Sequence, residues 1–142
     1  MPRYLASFLL LFLLLVSGRA EAARLVVTID GVHSVKGDVY VALFSRAEQF
    51  PDGDYSDRHL KVKASADPFI VIFDGLKPGT YAVGAYHDEN GNGKFDTNFI
   101  GYPAEGYALS NGIRAIISRP RFSDCAVTVG AEDKPIRLHI KY

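Results

Sequence analysis

The chain has 142 residues, which is the size of a single domain. Hydrophobic residues make up 48% and charged residues 23%, a composition typical of globular rather than disordered proteins. Sixteen basic and sixteen acidic residues balance, so the net charge gives no electrostatic reason to expect nucleic acid as a partner. The single cysteine excludes an intrachain disulfide framework and a metal site built from several thiolates.

Residues 1–22 are typical of a secretory signal peptide. Arg3 supplies the positive start, and residues 5–16 form a largely apolar run of twelve. As a helix this run spans about 18 Å, less than a hydrocarbon core of about 30 Å. The sequence Ala-Glu-Ala at residues 20–22 fits a cleavage site. We therefore predict a mature domain over residues 23–142, periplasmic or secreted, with no stable membrane anchor.

The mature chain consists of short apolar runs separated by Gly, Pro, Asn and Asp, without sustained helical periodicity. This pattern predicts an all-β fold, a seven-stranded antiparallel β-sandwich of prealbumin-like or immunoglobulin-like type. Both faces of the second run are apolar, so it is expected to be a central strand, whereas alternating lysines in the third predict a half-exposed or edge strand. The predicted strands are residues 24–30, 37–45, 60–64, 68–73, 80–87, 122–129 and 136–142.

A turn motif, F-x-G-L-x-P-G-x-Y at residues 73–81, joins two of these strands. The Pro78-Gly79 pair favours a type II turn. Tyr81 is placed to bury its ring and return its hydroxyl to the backbone, as in the tyrosine corner of immunoglobulin-like sandwiches. The motif resembles the prealbumin-like modules, including carboxypeptidase regulatory domains. This resemblance implies an architecture and no activity.

A candidate calcium loop follows the fifth predicted strand, with the spacing D-x-N-x-N-G-x-x-D. Oxygen ligands at alternate positions suit Ca²⁺, and a glycine at the sixth position allows the sharp turn that a calcium loop needs. Lys94 would contribute its backbone carbonyl, whereas the others would contribute side-chain oxygens. The candidate ligands are Asp88, Asn90, Asn92, Lys94 and Asp96.

This loop is not an EF-hand, because Phe99 stands where an EF-hand has its bidentate Glu and the preceding element is a strand. Glu105 is predicted to supply the missing carboxylate by folding back, with Asn98 as the alternative. With two Asn ligands the affinity for Ca²⁺ is expected to be on the order of 10⁻⁴–10⁻³ M. The other interpretation is an ordinary turn loop, since Asn, Gly and Asp are also common turn residues.

A wider resemblance joins these segments. The strand GDVYVALF, the turn F-x-G-L-x-P-G-x-Y, the loop HDENGNGKFDTN, and the segments GYPAEGYALSN and PRFSDCAVTV together resemble the domain of unknown function 2141 family. Its members are small exported bacterial proteins. The resemblance covers nearly the whole mature chain and implies export and a sandwich fold. It adds no enzymatic mechanism.

The remaining signals favour a binding or structural module rather than an enzyme. The sequence contains no G-x-S-x-G, G-x-G-x-x-G or P-loop motif, and its four histidines do not have zinc-site spacing. Cys125 is expected to point inward as a small hydrophobe. We predict an unidentified envelope or extracellular ligand, a protein, peptide or glycan, at the end bearing residues 88–107. The alternative is a prealbumin-type small-molecule carrier or hydrolase.

Four aromatic residues accompany the loop and allow two interpretations. They could form a platform for a ligand, or they could form a lid that closes the end of the sandwich. The lid is the favoured interpretation, because an exposed aromatic cluster would promote unwanted association. These residues are Phe95, Phe99, Tyr102 and Tyr107.

Overall fold

The structure, a computed structural model, describes residues 22–115 and 118–142. The predicted signal peptide lies outside the described residues except for Ala22, which is exposed. Across the described ranges, none of the helices has the length and apolar character needed to cross a membrane.

The described residues form eight strands and very little helix. A single 3-10 turn at Gly53–Tyr55 precedes the third strand, and another at Ser110–Gly112 follows the sixth. The strands and one short helix are β1 (Ala23–Asp30), β2 (Asp38–Phe44), β3 (Arg58–Lys63), β4 (Phe69–Leu76), β5 (Gly79–Asp88), β6 (Tyr107–Leu109), α1 (Phe122–Cys125), β7 (Val127–Val129) and β8 (Lys134–His139).

The strands make two sheets, which confirms the predicted all-β sandwich. One sheet has the order β4-β1-β8, and the other has the order β3-β2-β5-β6 with β7 also paired to β5. The strand count is eight rather than seven, because the prediction missed β6, which has only three residues. The pairing is antiparallel except between β1 and β8, which run parallel. After β7, which pairs with β5, the chain crosses to the other sheet. There β8 pairs with β1 and runs in the same direction as β1.

The predicted strand over residues 122–129 is wrong in its first half. Residues 122–125 form the helical turn α1, and only Val127–Val129 is extended. Arg121 contacts Asp124 through a salt bridge of 2.9 Å, and the backbone N–H of Asp124 donates to the carbonyl of Arg121. These contacts at a spacing of three residues suit a helical turn rather than a strand.

The core lies between the two sheets and follows the alternation of the strands. Leu25, Val27 and Ile29 of β1 are fully buried and face Val39 and Val41 of β2 across the core. The other face of β2 supports a second cluster, in which the ring of Phe44 packs edge-on against that of Phe50. Within its sheet β2 lies between β3 and β5, and its predicted central position is confirmed.

The third strand is an edge strand, as its alternating lysines predict. Lys61 and Lys63 place their ammonium groups 3.1 and 2.8 Å from the carboxylate of Asp38, a side chain that is only 9% exposed. The hydrogen bond from Lys63, followed by that from Lys61, lowers the pKa of Asp38 below its ordinary value. The lysines thus discourage pairing of the sheet edge with another strand, and they also neutralise the carboxylate of Asp38 at the start of β2.

The predicted tyrosine corner is present, but its turn differs from the prediction. The hydroxyl of Tyr81 donates to the carbonyl of Lys77 at 2.8 Å, and the ring is buried. The left-handed residue here is Gly75, with φ of +65°, and not Gly79, which already belongs to β5. A type II turn at Pro78-Gly79 is therefore wrong, since that turn requires a positive φ at Gly79.

Cys125 is completely buried, as predicted, although on a helical turn rather than on a strand. Burial raises the pKa of its thiol to about 11, so the reactive thiolate is scarce near neutral pH. We expect a bulky maleimide to label Cys125 only after denaturation. Rapid labelling of the folded protein, followed by mass spectrometry, would show that this part of the fold opens readily.

Candidate functional site

The candidate loop leaves the central strand β5 at Asp88, beside the start of β2. Asp88 pairs with Asp38 across the β2–β5 ladder and is fully buried. The backbone of Gly37 packs against the same residue so closely that an added Cβ would lie 1.9 Å from the carbonyl oxygen of Asp88. The first predicted ligand is therefore held by two strands.

The carboxylate of Asp88 organises the first turn of the loop. Its Oδ1 accepts hydrogen bonds from the backbone N–H groups of Gly91 at 2.8 Å and Asn92 at 3.1 Å. Its Oδ2 accepts from the N–H of Gly93 at 2.7 Å. Gly91 and Gly93 both have positive φ, which lets successive N–H groups turn toward one anion.

Two of the predicted ligands converge on one carboxylate oxygen of a third, Asp96. The side-chain amides of Asn90 and Asn92 both donate to Oδ2 of Asp96, at 2.7 and 2.8 Å. Their own Oδ1 atoms accept from backbone N–H groups two residues further on, at Asn92 and Lys94. Each amide oxygen keeps a second lone pair, which leaves it able to contact a cation as well.

Glu105 returns to the loop, as the sequence predicts. The backbone of residues 96–104 forms a small hairpin, in which the N–H of Ala104 donates to the carbonyl of Asp96 at 2.9 Å. The backbone N–H of Asp96 in turn donates to Oε2 of Glu105 at 3.1 Å. The structure thus links Asp88, Asn90, Asn92, Asp96 and Glu105 in one hydrogen-bonded group.

The second carboxylate oxygen of Glu105 is the unusual atom of this group. Oε1 is buried and has no hydrogen-bond partner among the described residues. Burial raises the pKa of Glu105 above its ordinary value, and the neighbouring charges of Asp96 and Asp88 raise it further, although the hydrogen bond from Asp96 N lowers it. An ionised Glu105 is therefore costly unless a positive charge comes close.

The other loop residues are placed differently. Lys94 has an exposed side chain, and its N–H donates to Oδ1 of Asn92. Phe99 is 99% exposed and points away from the protein. Asn98 uses its Oδ1 to accept from the N–H groups of Ile100 and Tyr102, so it caps its own turn. Of the two candidates for the closing carboxylate position, Glu105 is the one that contacts the loop.

The four aromatic residues near the loop form neither the predicted lid nor a continuous platform. Tyr107 is buried and packs against Phe95, with ring centroids 5.9 Å apart. Phe99 stands alone at the tip of the hairpin, and Tyr102 is 41% exposed. The lid interpretation fails because the hairpin that returns Glu105 carries Phe99 outward.

A second group of side chains lies next to the loop and was missed by sequence reasoning. His33, from the β1–β2 connection, places Nε2 3.0 Å from Oε2 of Glu89. His87 is fully buried beside them, and Tyr142 stacks its ring on that of His33 with centroids 3.6 Å apart. The hydrogen bond from His33, followed by that from Ser34, lowers the pKa of Glu89 below its ordinary value.

These side chains line a cleft of about 570 Å³ that also reaches Asn90 and Glu105. His87 and Glu89 flank Asp88 in the sequence, but their side chains face the cleft with His33 and Tyr142. No spacing in the sequence marks this group, because its members come from three separate segments. Four histidines without a zinc-site spacing were the only available signal.

A family model described as an uncharacterized protein conserved in bacteria (DUF2141) matches residues 27–137. No curated protein and no solved structure matches the chain. The matched range includes the loop from Asp88 to Glu105 and also His33, whereas Tyr142 lies after it.

Proposed function

Because the chain belongs to the DUF2141 family of uncharacterized bacterial proteins, whose description names no activity, we propose its function from the site itself. The chain is an exported, non-enzymatic β-sandwich module that binds Ca²⁺ in the loop between β5 and β6. The ligands are the side chains of Asp88, Asn90, Asn92, Asp96 and Glu105, with the carbonyl of Lys94.

One observation carries this proposal: Oε1 of Glu105 is buried and has no hydrogen-bond partner in the described part of the chain, while Oε2 accepts from the backbone N–H of Asp96. A buried carboxylate oxygen without a hydrogen-bond donor is costly, and two further acidic side chains add repulsion. A hard divalent cation relieves both costs at once. Carboxylate and amide oxygens are the ligands that Ca²⁺ takes, in sets of about six to eight.

Calcium in this place would act on structure rather than on a reaction. It would tie the hairpin of residues 96–104 to the end of β5, and so fix the surface around Phe99, Ile100 and Tyr102. These side chains are 99%, 72% and 41% exposed. A fixed apolar tip supports binding of an envelope or extracellular partner, since exposed apolar patches mark interaction sites.

Glu105→Gln tests the proposed ligand set, because it should act in opposite directions with and without calcium. In chelator, the variant should be at least as stable as the wild type near neutral pH. Because the pKa of Glu105 is raised in the folded protein, protonated Glu105 stabilises the fold at low pH. That stabilisation is lost as the pH rises through the raised pKa. In calcium, the variant should bind about tenfold more weakly or worse, because it loses a ligand charge.

The measurement is isothermal calorimetry of Ca²⁺ binding together with urea unfolding in chelator. Glu48→Gln is the matched control, since Glu48 is exposed and distant in sequence from the loop. Equal calcium affinity in the wild type and in Glu105→Gln would remove Glu105 from the ligand set.

Export gives a separate prediction. The intact mass of the protein purified from its native source should show an N-terminus at Ala23, or at Glu21 if the earlier cleavage site is used. The same preparation should show by mass spectrometry which protein, peptide or glycan accompanies it. A mass that includes Met1 in the envelope fraction would contradict export by a cleaved signal.

The alternative function, a prealbumin-type small-molecule carrier or hydrolase, is favoured by the cleft that His33, His87, Glu89 and Tyr142 line. Titratable side chains that converge in a cleft are typical of active sites. A reaction at this cleft is disfavoured, because both ring nitrogens of His87 already make hydrogen bonds, one to the carbonyl of Lys36 and one to the hydroxyl of Tyr142. A small molecule that accompanies the native protein in the mass spectrum would favour the carrier.

A further inference from the structure

The cleft beside the loop holds a mixed set of nitrogen and oxygen donors. One ring nitrogen from His33, one from His87 and one carboxylate oxygen of Glu89 lie within 4.8 Å of one another. They come from the β1–β2 connection, from the end of β5, and from the first residue after β5. Two imidazoles and a carboxylate suit a borderline cation such as Zn²⁺ better than the hard Ca²⁺.

His87 is arranged as a ligating histidine. Its Nε2 lies 2.7 Å from the carbonyl oxygen of Lys36, and because a carbonyl only accepts, Nε2 carries the proton. The lone pair of the neutral ring is therefore on Nδ1, which accepts from the hydroxyl of Tyr142 at 2.6 Å. Metal-binding histidines characteristically donate their other N–H to a carbonyl or carboxylate, which fixes the tautomer and the ring orientation.

The other two side chains are held but not locked. The two oxygens of Glu89 accept separately, one from Ser34 Oγ at 2.9 Å and one paired with Nε2 of His33 at 3.0 Å. The ring of His33 rests on that of Tyr142, and its side chain is 49% exposed. Nε2 of His33 and Oε2 of Glu89 are already 3.0 Å apart, and closing the full spread of 4.8 Å by about 1.5 Å would give the roughly 3.3 Å between ligands around tetrahedral zinc.

We propose that His33, His87 and Glu89 form a transition-metal site that binds Zn²⁺ at this cleft, separate from the calcium loop. The metal would take the lone pair of His87 Nδ1, so the hydroxyl of Tyr142 must leave that atom. With three protein ligands the fourth position opens toward the cleft, as in zinc sites that hold water or a bound ligand. The carboxylate of Asp88 takes no part, because it faces the turn of residues 91–93, on the opposite side of β5 from His87.

The test is a titration of the mature chain with Zn²⁺ by calorimetry, in the presence of saturating Ca²⁺. We expect one zinc per chain, and a loss of affinity of about tenfold or more in both His33→Ala and Glu89→Gln. Both substituted side chains are partly exposed, so these variants should fold, unlike a substitution of the buried His87. X-ray absorption at the zinc edge should show two imidazole ligands.

His139→Ala is the matched control, because His139 is another exposed histidine paired with a carboxylate, that of Asp30. It should leave zinc affinity unchanged. An equal loss in His139→Ala, no loss in His33→Ala and Glu89→Gln, or no saturable binding would overturn the zinc site. Calcium binding that persists in His33→Ala separates the two proposals, since a failure of one site then leaves the other measurable.

Discussion

Calcium at about 5 mM is expected to raise the melting temperature of the mature domain by about 7–15 °C relative to chelator. A ligand that binds only the folded state stabilises it by RT ln(1 + [Ca²⁺]/Kd), which is about 2.3 kcal/mol for a Kd of about 10⁻⁴ M. The structural reason is the buried Oε1 of Glu105, together with the repulsion from Asp96 and Asp88. Differential scanning calorimetry of residues 23–142 measures the shift directly.

Three comparisons make this result specific. Mg²⁺ should give a much smaller shift, because it requires near-octahedral geometry and loses water reluctantly. Asp88→Ala should abolish the shift and also lower the melting temperature in chelator, because the backbone N–H groups of Gly91 and Gly93 lose their acceptor and that of Asn92 loses one of two. Asp96→Asn removes one charge with little change of shape and should reduce the shift, whereas Asp67→Asn, at an exposed site, should not.

Identical melting curves in calcium and in chelator would reject a calcium site of this affinity. The loop would then be an ordinary turn held by its own hydrogen bonds, among them those from Asn90 and Asn92 to Asp96. That result would leave the zinc proposal standing, since it depends on other side chains.

Gly37→Ala is expected to lower the free energy of unfolding by about 2–5 kcal/mol, through two costs. Gly37 has φ of +73°, where a residue with a Cβ is disfavoured by about 1–2 kcal/mol. The new methyl group would also lie 1.9 Å from the carbonyl oxygen of Asp88, and relief of such overpacking costs about 1–3 kcal/mol. Urea denaturation, with ΔG extrapolated to water, is the measurement.

Gly75→Ala is the matched control for this prediction. Gly75 also has a positive φ, +65°, but an added Cβ there would meet nothing within 4 Å. Gly75→Ala should therefore lower the free energy of unfolding only by the backbone cost, about 1–2 kcal/mol. Equal losses in the two variants would mean that the strand carrying Asp88 moves away from Gly37 at little cost, and that the start of the calcium loop is not rigidly held.

The two candidate metal sites share the end of β5 without sharing a ligand. His87 and Asp88 are neighbours in the chain, and successive side chains of a strand point to opposite faces. Asp88 consequently faces the turn of residues 91–93, whereas His87 faces the carbonyl of Lys36 and the hydroxyl of Tyr142. Glu89, one residue further, has left the strand and reaches His33.

The sequence by itself determined the features that depend on neighbours in the chain. The run of residues 39–44 predicts a central strand, because side chains of a strand have a period of two and both faces of this run are apolar. Tyr81, four residues after Lys77, closes a corner within reach of its own backbone. The acceptor pattern around Asp88 also follows from local spacing, since its donors are three to five residues away.

Only the tertiary structure decided the contacts that depend on how distant segments meet. The parallel pairing of β8 with β1 was not predicted, since it depends on where the chain returns after a long path. His33 and His87 are brought together by the packing of the β1–β2 connection against the end of β5, and Tyr142 completes the cleft from the last position of the chain. Contacts between residues so far apart in the chain depend on strand register and on the packing of the two sheets, and the local pattern of residue types does not specify either.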